Sequence, residues 1–412
     1  MAQIIGREAR YQAYLDTLKA DFTPYTEVEV LNPDGTIDYT IGNDFVQEGS
    51  VNVNFNNGTR RTASVTLENT YTKRTISPNG IWFGQQFRIK SGLILPDGTP
   101  YLLPQGVFYV NDPELNIQPN TNTITLNLTD KWAYLDGTLF GNLEGNFVAE
   151  INSDIYDTIA ALLMIDRGNG IPIDNVKPVL TSYFRGKTVV LPDGSVVSVT
   201  KVPYQMRVEP DGKTFADILL EFNNMLSGII GYDNTGRLRI EPSSYDIDDW
   251  NKPRMWEFHL SEREFLGGTY SVQMSEVYNV VQVVGQILNG MQAKAEVVND
   301  DISSPTSIYS SLGRRVKRIT DDNYYADAQC AALGAWHLKR LNALKQSVSF
   351  TTSPIYHLQE NTLVSIVNQQ KGSELTPHLV NGFTLPIGAG SMQINVTSID
   401  DDITVSSSNV LS

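Results

Sequence analysis

The sequence predicts a mainly β protein with an α+β insert: two β-barrel or β-sandwich domains flanking a smaller α+β domain. Three observations predict it. Residues 22–139 are dominated by period-two alternation broken by short Gly, Pro, Asn and Asp clusters, the mark of many short strands. Residues 140–262 switch to helical spacing with capping signals, interleaved with hairpins. Residues 263–402 return to strands, interrupted by one helix.

The elements follow in order. Residues 1–21 read as an N-terminal helix, with Tyr11, Tyr14, Leu15 and Leu18 at offsets of three and four. It docks either on its own domain or on a neighbouring subunit, and Tyr11, Tyr14 and Leu18 are its candidate contacts. Residues 25–31 alternate and lead through Asn32-Pro33-Asp34-Gly35 into 36–42. Further strands are predicted at 50–55, 61–67, 86–90, 93–95, 106–110 and 123–129. In the insert, Ser153 is the expected N-cap of a helix carrying Ile155, Ile159, Leu162 and Leu163. A hairpin turns at Pro192-Asp193-Gly194, and Thr214 with Asp217 forms a capping-box-like pair opening a second helix. The last domain offers strands at 277–285, 293–298, 347–351, 362–367 and 392–399. Its helix spans about 322–344, with Cys330, Leu333, His337, Leu341 and Leu344 on one face. Residues 403–412 form a polar, Ser-rich tail expected to be flexible.

Composition excludes several classes. The 412 residues carry 31 Lys and Arg against 46 Asp and Glu, a formal charge of −15. That argues against binding the outside of nucleic acid, where cations neutralise phosphates, and against a basic membrane-surface protein. Only 19% of residues are charged, below the roughly 25% of ordinary domains, so Asn, Gln, Ser and Thr supply the polarity. A lone cysteine, Cys330, rules out a disulfide scaffold or a multi-cysteine zinc site. The longest apolar run, 159–165, falls far short of the roughly 20 residues that span a bilayer. With no secretory leader pattern at the N-terminus, synthesis in a cytoplasm is expected.

No nucleophile elbow, P-loop or dinucleotide fingerprint is present. His337 falls on an apolar helix face, which reads as a structural or interface histidine. His259, His357 and His378 belong to no metal-binding motif. The acidic groups Asp246/Asp248/Asp249, Asp300-Asp301, Asp321-Asp322 and Asp400-Asp401-Asp402 lack EF-hand spacing and stand where Asp favours turns and caps. No catalytic residue, cofactor or metal is therefore expected. Two basic runs stand out, Arg60-Arg61 and Arg314-Arg315-Val316-Lys317-Arg318. The second is either a solvated loop or a contact for a partner's carboxylates or a passing nucleic acid, with Arg314, Arg315 and Arg318 as candidate contacts.

Several segments together resemble the baseplate-hub, or tail-tip hub, proteins of tailed bacteriophages, akin to the hub part of contractile injection spikes. They are Val277 to Gly285, Asn299 to Pro305, Tyr325 to Leu333, Gln346 to Phe350, Pro354 to Leu358 and Asn361 to Ile366. The middle stretch from Thr214 to Leu238 is similar to the family's insert, and Gly49-Ser50-Val51 with Arg61 to Leu67 to its opening strands. The resemblance covers roughly residues 22–402. It implies two tube domains per chain, a homotrimeric ring of pseudo-sixfold shape, and a virion location at the tail tip. It further implies partners: a tail tube or distal tail protein, a tape-measure protein and a tip fibre or spike. DNA would pass only as cargo, and the acidic excess is expected to give a lumen that repels phosphate. Longer members continue into enzymatic or adhesin regions; ending at 412, this chain is expected to lack one. The alternative is a carbohydrate-binding or polysaccharide-degrading tail protein using exposed Trp and Tyr with a carboxylate pair.

Overall fold

Turn chemistry sets the first hairpins. In three Pro-Asp-Gly turns the Asp carboxylate accepts both the backbone N–H and the hydroxyl of the residue two positions on: Asp34 with Thr36, Asp97 with Thr99, Asp193 with Ser195. The glycine between adopts φ of +84°, +81° and +84°, a region costly for any side chain. The structure, a computed structural model, describes all residues other than 1, 70–73, 79, 120, 169, 243–253, 259–264, 273–276, 343–345, 369–373, 399–404, 409–410 and 412. Asp246, Asp248, Asp249, Trp250, His259, Leu344 and Asp400 to Asp402 lie outside the described residues.

After helix α1 (Ala2–Leu18) come β1 (Pro24–Leu31), β2 (Ile37–Ile41), β3 (Val46–Asn54), β4 (Arg61–Glu68), β5 (Gln86–Ile94), β6 (Pro100–Gln118) and β7 (Thr121–Asp130). The middle part holds β8 (Phe147–Ala149), α2 (Ile155–Leu163), β9 (Val179–Leu180), β10 (Thr188–Val190), β11 (Val196–Ser198), β12 (Met206–Val208), α3 (Phe215–Met225), β13 (Gly228–Tyr232) and β14 (Leu238–Pro242). Then follow β15 (Arg254–Phe258), β16 (Phe265–Val272), β17 (Val280–Leu288), β18 (Met291–Val298), β19 (Val316–Thr320), α4 (Asp327–Asn342), β20 (Gln346–Thr352), β21 (Leu363–Asn368), β22 (Glu374–Ile387), β23 (Met392–Ser398) and β24 (Ser406–Ser408).

The two β-rich ends of the chain share one sheet. Its path runs β16-β20-β23-β22-β3-β4-β7-β6-β5-β1-β2, with β21 joined to β22 and β15 to β21. The seam is β22 against β3, antiparallel from Gly382↔Asn54 to Ile387↔Gly49. Across it the inward residues form one core: Val51, Val53, Val65 and Leu126 from the first half meet Phe350, Val380, Leu385 and Ile394 from the second. Each such buried side chain stabilises by roughly 1.5–3 kcal/mol relative to exposure.

The middle part builds its own core around α2, α3 and the β13–β14 hairpin. It is tied to the large sheet by the buried pair Lys131–Asp174 at 2.8 Å. A third core belongs to the sheet β19-β17-β18-β24 under α4.

Four details differ from expectation. β15, within the range assigned to the insert, pairs in parallel with β21 of the large sheet. Helix α4 begins at Asp327, because Asp321 accepts from the backbone and side chain of Asn323 in a local turn that competes with helix. The cap of α2 is Asp154, not Ser153; its carboxylate accepts from Tyr156 and Asp157 N–H. Within the tail, Ser406–Ser408 add antiparallel to the open edge of β18 instead of fraying.

Candidate functional site: an uncharged sheet face

Eight consecutive strands of the large sheet, β16-β20-β23-β22-β3-β4-β7-β6, have one side turned to the core. Strand alternation sends the remaining side chains to the other side. Following the registers, that outer side carries Ser349 and Thr351, Gln393 and Asn395, Thr384, Ser50 and Asn52, Thr62 and Ser64, then Asn127 and Thr129. These residues are half-buried or exposed, and none is charged. Neighbours bond across strands: the Thr384 hydroxyl donates to Asn52 Oδ1 at 2.8 Å, and Thr66 and Thr125 hydroxyls lie 3.1 Å apart.

Charge begins only toward the margins, and it is negative. Glu48 lies opposite Thr66, Glu68 opposite Thr123, Asp112 opposite Asn127 and Glu114 opposite Thr125. Of the chain's 31 Lys and Arg, the eight strands hold only Arg61, which faces inward and is wholly buried. The face is thus neutral at its middle and acidic at its margin. Two runs of backbone at its ends lack a second strand among the described residues: the outer edge of β16, and β6 beyond Val110, where β5 no longer runs alongside.

The predicted contact residues fall in two places. Tyr14 and Leu18 are 0% and 3% exposed, packed on their own chain, so they cannot offer a surface to a neighbour; Tyr11 is 38% exposed. The Tyr14 ring stacks on Tyr101 with centroids 4.8 Å apart. Its hydroxyl donates to His357 Nδ1 at 2.9 Å, a role fixed because His357 Nε2 faces the Met255 carbonyl, which can only accept. Burial lowers the His357 pKa, keeping the ring neutral. Arg314 and Arg318 are exposed and Arg315 is half-buried, around the edge strand β19. Arg314 pairs with Glu296 at 2.8 Å, and Arg315 lies over the Tyr278 ring.

Sequence reasoning missed a buried polar junction. Arg60 and Arg61, read as a basic run, are 4% and 0% exposed. Arg61 pairs with Glu360 and donates to the Gln105 carbonyl and Gln359 Oε1, each at 2.9 Å. Beneath them Asp130 accepts the backbone N–H groups of Arg60 (2.8 Å), Arg61 (3.0 Å) and Trp132 (3.1 Å). Burial raises the Asp130 carboxyl to about 6, against the pull of those donors. A polar cavity of about 270 Å³ opens beside this junction, between Arg60, Arg239 and Glu360. The available signal was position: Arg61 opens a strand whose alternate residues Ala63, Val65 and Leu67 point inward.

The remaining chemistry-bearing residues stay apart. Cys330 is buried and its thiol is pushed up to about 12, far from a thiolate nucleophile. No group of three or more His, Cys, Asp or Glu among the described residues could hold a metal ion. Asp301 is used in a turn, accepting from Ser303. Trp132 and Trp256 are buried, Trp336 is half-buried and Trp82 is exposed, so these four form no shared aromatic platform.

No protein-family model matches the chain, and no curated protein sequence matches it. Its fold does match solved structures. The 43 kDa tail protein of prophage MuSo2 from Shewanella oneidensis superposes with TM-score 0.56 at 14% identity, over 92% of this chain and 99% of that one. The tail protein from Neisseria meningitidis MC58 gives 0.58 at 11%, over 93% and 98%. Prophage tail protein gp18 from Listeria monocytogenes EGD-e gives 0.54 at 6%, over 90% and 94%. The architecture is that of phage tail proteins along nearly the whole of each chain.

Proposed function

We propose that this chain is a structural subunit of a bacteriophage tail tip or baseplate: a hub whose copies form a trimeric ring with the uncharged sheet face turned to the central passage. The observation that carries this reading is the chemistry of that face. Protein binds DNA chiefly by setting Lys and Arg against phosphates and releasing counterions. A wall of hydroxyls and amides with carboxylates only at its margin offers no such gain, so DNA passes without adhering. The near end-to-end likeness to solved phage tail proteins supports the setting.

The open edges of β16 and of outer β6 supply the places where successive copies meet, head to tail, as a closed ring requires. A tail tube or distal tail protein would dock on one side of that ring and a spike or fibre on the other, with a tape-measure protein within. The role is architectural and asks for no catalytic residue. The test is the assembly state of the purified chain: three copies and a central opening in electron-microscopic averages.

A further inference from the structure

We propose that the open edge of β19 is a docking strand for an extended acidic segment of a partner protein, which joins the four-stranded sheet as an additional strand. Among the described residues, β19 is the outermost strand of β19-β17-β18-β24 and pairs on one side only, in parallel with β17 from Val280↔Val316 to Val284↔Thr320. The Arg315 carbonyl accepts from Val280 N–H, and Asp321 N–H donates to the Val284 carbonyl. Successive residues of a parallel strand turn their backbone groups to opposite sides. Odd-numbered residues 315 to 321 therefore face β17, and Val316, Arg318 and Thr320 hold N–H and C=O outward. All three are exposed.

The side chains around this edge select the partner's charge. Arg314, Arg315, Lys317 and Arg318 put four cations in five positions of a chain with formal charge −15. Arg314 is engaged by Glu296, and Arg315 and Lys317 lie 5.4 and 5.6 Å from the Tyr278 ring centre. Arg318 stands exposed in the middle of the outward trio, with Val316, 41% exposed, beside it.

An edge that alternates donors and acceptors fits another peptide backbone. A phosphate uses donors only, so the carbonyls of Val316, Arg318 and Thr320 would be unmatched against nucleic acid. Cations at the same edge call for Asp or Glu at alternate positions of the guest. The sheet already holds a short extended segment at its opposite edge, the uncharged Ser406–Ser408 of β24, which pair with Glu296 to Val298. Charged edge strands also serve simply to prevent aggregation, so the test must separate a docking edge from a guarded one.

The probe is a fluorescent eight-residue peptide alternating Glu and Val, titrated onto the full chain by anisotropy up to millimolar concentration. Saturable binding is expected, weakened about tenfold by Arg318→Glu. Two further peptides carry backbone N-methyl groups on alternate residues, one on the Glu set and one on the Val set. A strand has one pairing edge per side, so one of the two should lose about tenfold and the other bind normally. Absence of saturable binding overturns the proposal. So does equal binding of both methylated peptides, which would show charge attraction alone. Displacement of the peptide by an equal concentration of single-stranded DNA also overturns it and assigns the edge to phosphate.

Discussion

The Tyr14 hydroxyl and His357 Nδ1 meet at 2.9 Å although 343 positions separate them. That contact pins the N-terminal helix to the segment leading into β21. Tyr14→Phe removes the donor and strands a buried acceptor, at a cost of about 1–3 kcal/mol. Hydrogen exchange in residues 8–18 should accelerate in the variant, while β3 and β4 stay protected. Burial lowers the His357 pKa, so the unfolded chain takes up the proton first. The contribution of neutral His357 is complete above about pH 6.5 and is lost as pH falls toward the lowered folded value. Helix α1 should loosen below pH 6.5 in wild type.

Arg61 and Glu360 form the most enclosed ion pair of the junction, with side chains 0% and 7% exposed. Glu360→Ala leaves a buried guanidinium without its counter-charge and should destabilise by about 3–5 kcal/mol. The double variant Arg61→Met, Glu360→Leu should be closer to wild type than Glu360→Ala is, since both charges leave together. Urea unfolding of the three proteins measures this.

Asp130 predicts the opposite pH trend to His357. Its carboxyl rises from 3.8 to about 6 on folding. The folded chain therefore holds a proton that the unfolded chain has released between those values. Stability from this group is complete below about pH 4 and declines as pH rises to about 6, a change of about 2–3 kcal/mol. Wild type should gain that much over Asp130→Asn on going from pH 7 to pH 4, measured by denaturant unfolding. A pH-independent difference contradicts the assignment.

The uncharged face can be converted. Asn52→Arg with Asn395→Arg places cations on β3 and β23 where only amides stood. The wild-type protein should not retard DNA in a gel at about 100 mM salt, and the variant should, with binding that weakens steeply as salt rises.

Local chemistry was legible in the sequence; long-range partnership was not. The turns at Asp34-Gly35 and Asp193-Gly194 and the Thr214–Asp217 capping box were all readable, because each is decided within a few residues. The seam of β22 on β3 and the pairing of β15 with β21 join distant segments that no local period encodes. β6 was underread as 106–110, because Pro104 and Pro113 interrupt its pattern and bulges at Ile89/Lys90 and Val110/Asp112 break its alternation. The uncharged face was present as a wealth of Asn and Thr, but only the registers gather Asn52, Thr62, Thr384 and Gln393 on one side. Arg61 was misread for the same reason: its counter-charge, Glu360, is 299 positions away.

Cryo-electron microscopy of the purified chain tests the proposed threefold ring with its neutral face inward. Three copies around an open centre are expected, with Asn52, Thr62 and Asn395 lining it. A particle whose opening is lined by Lys and Arg, or a chain that remains monomeric at about 100 µM, would contradict it.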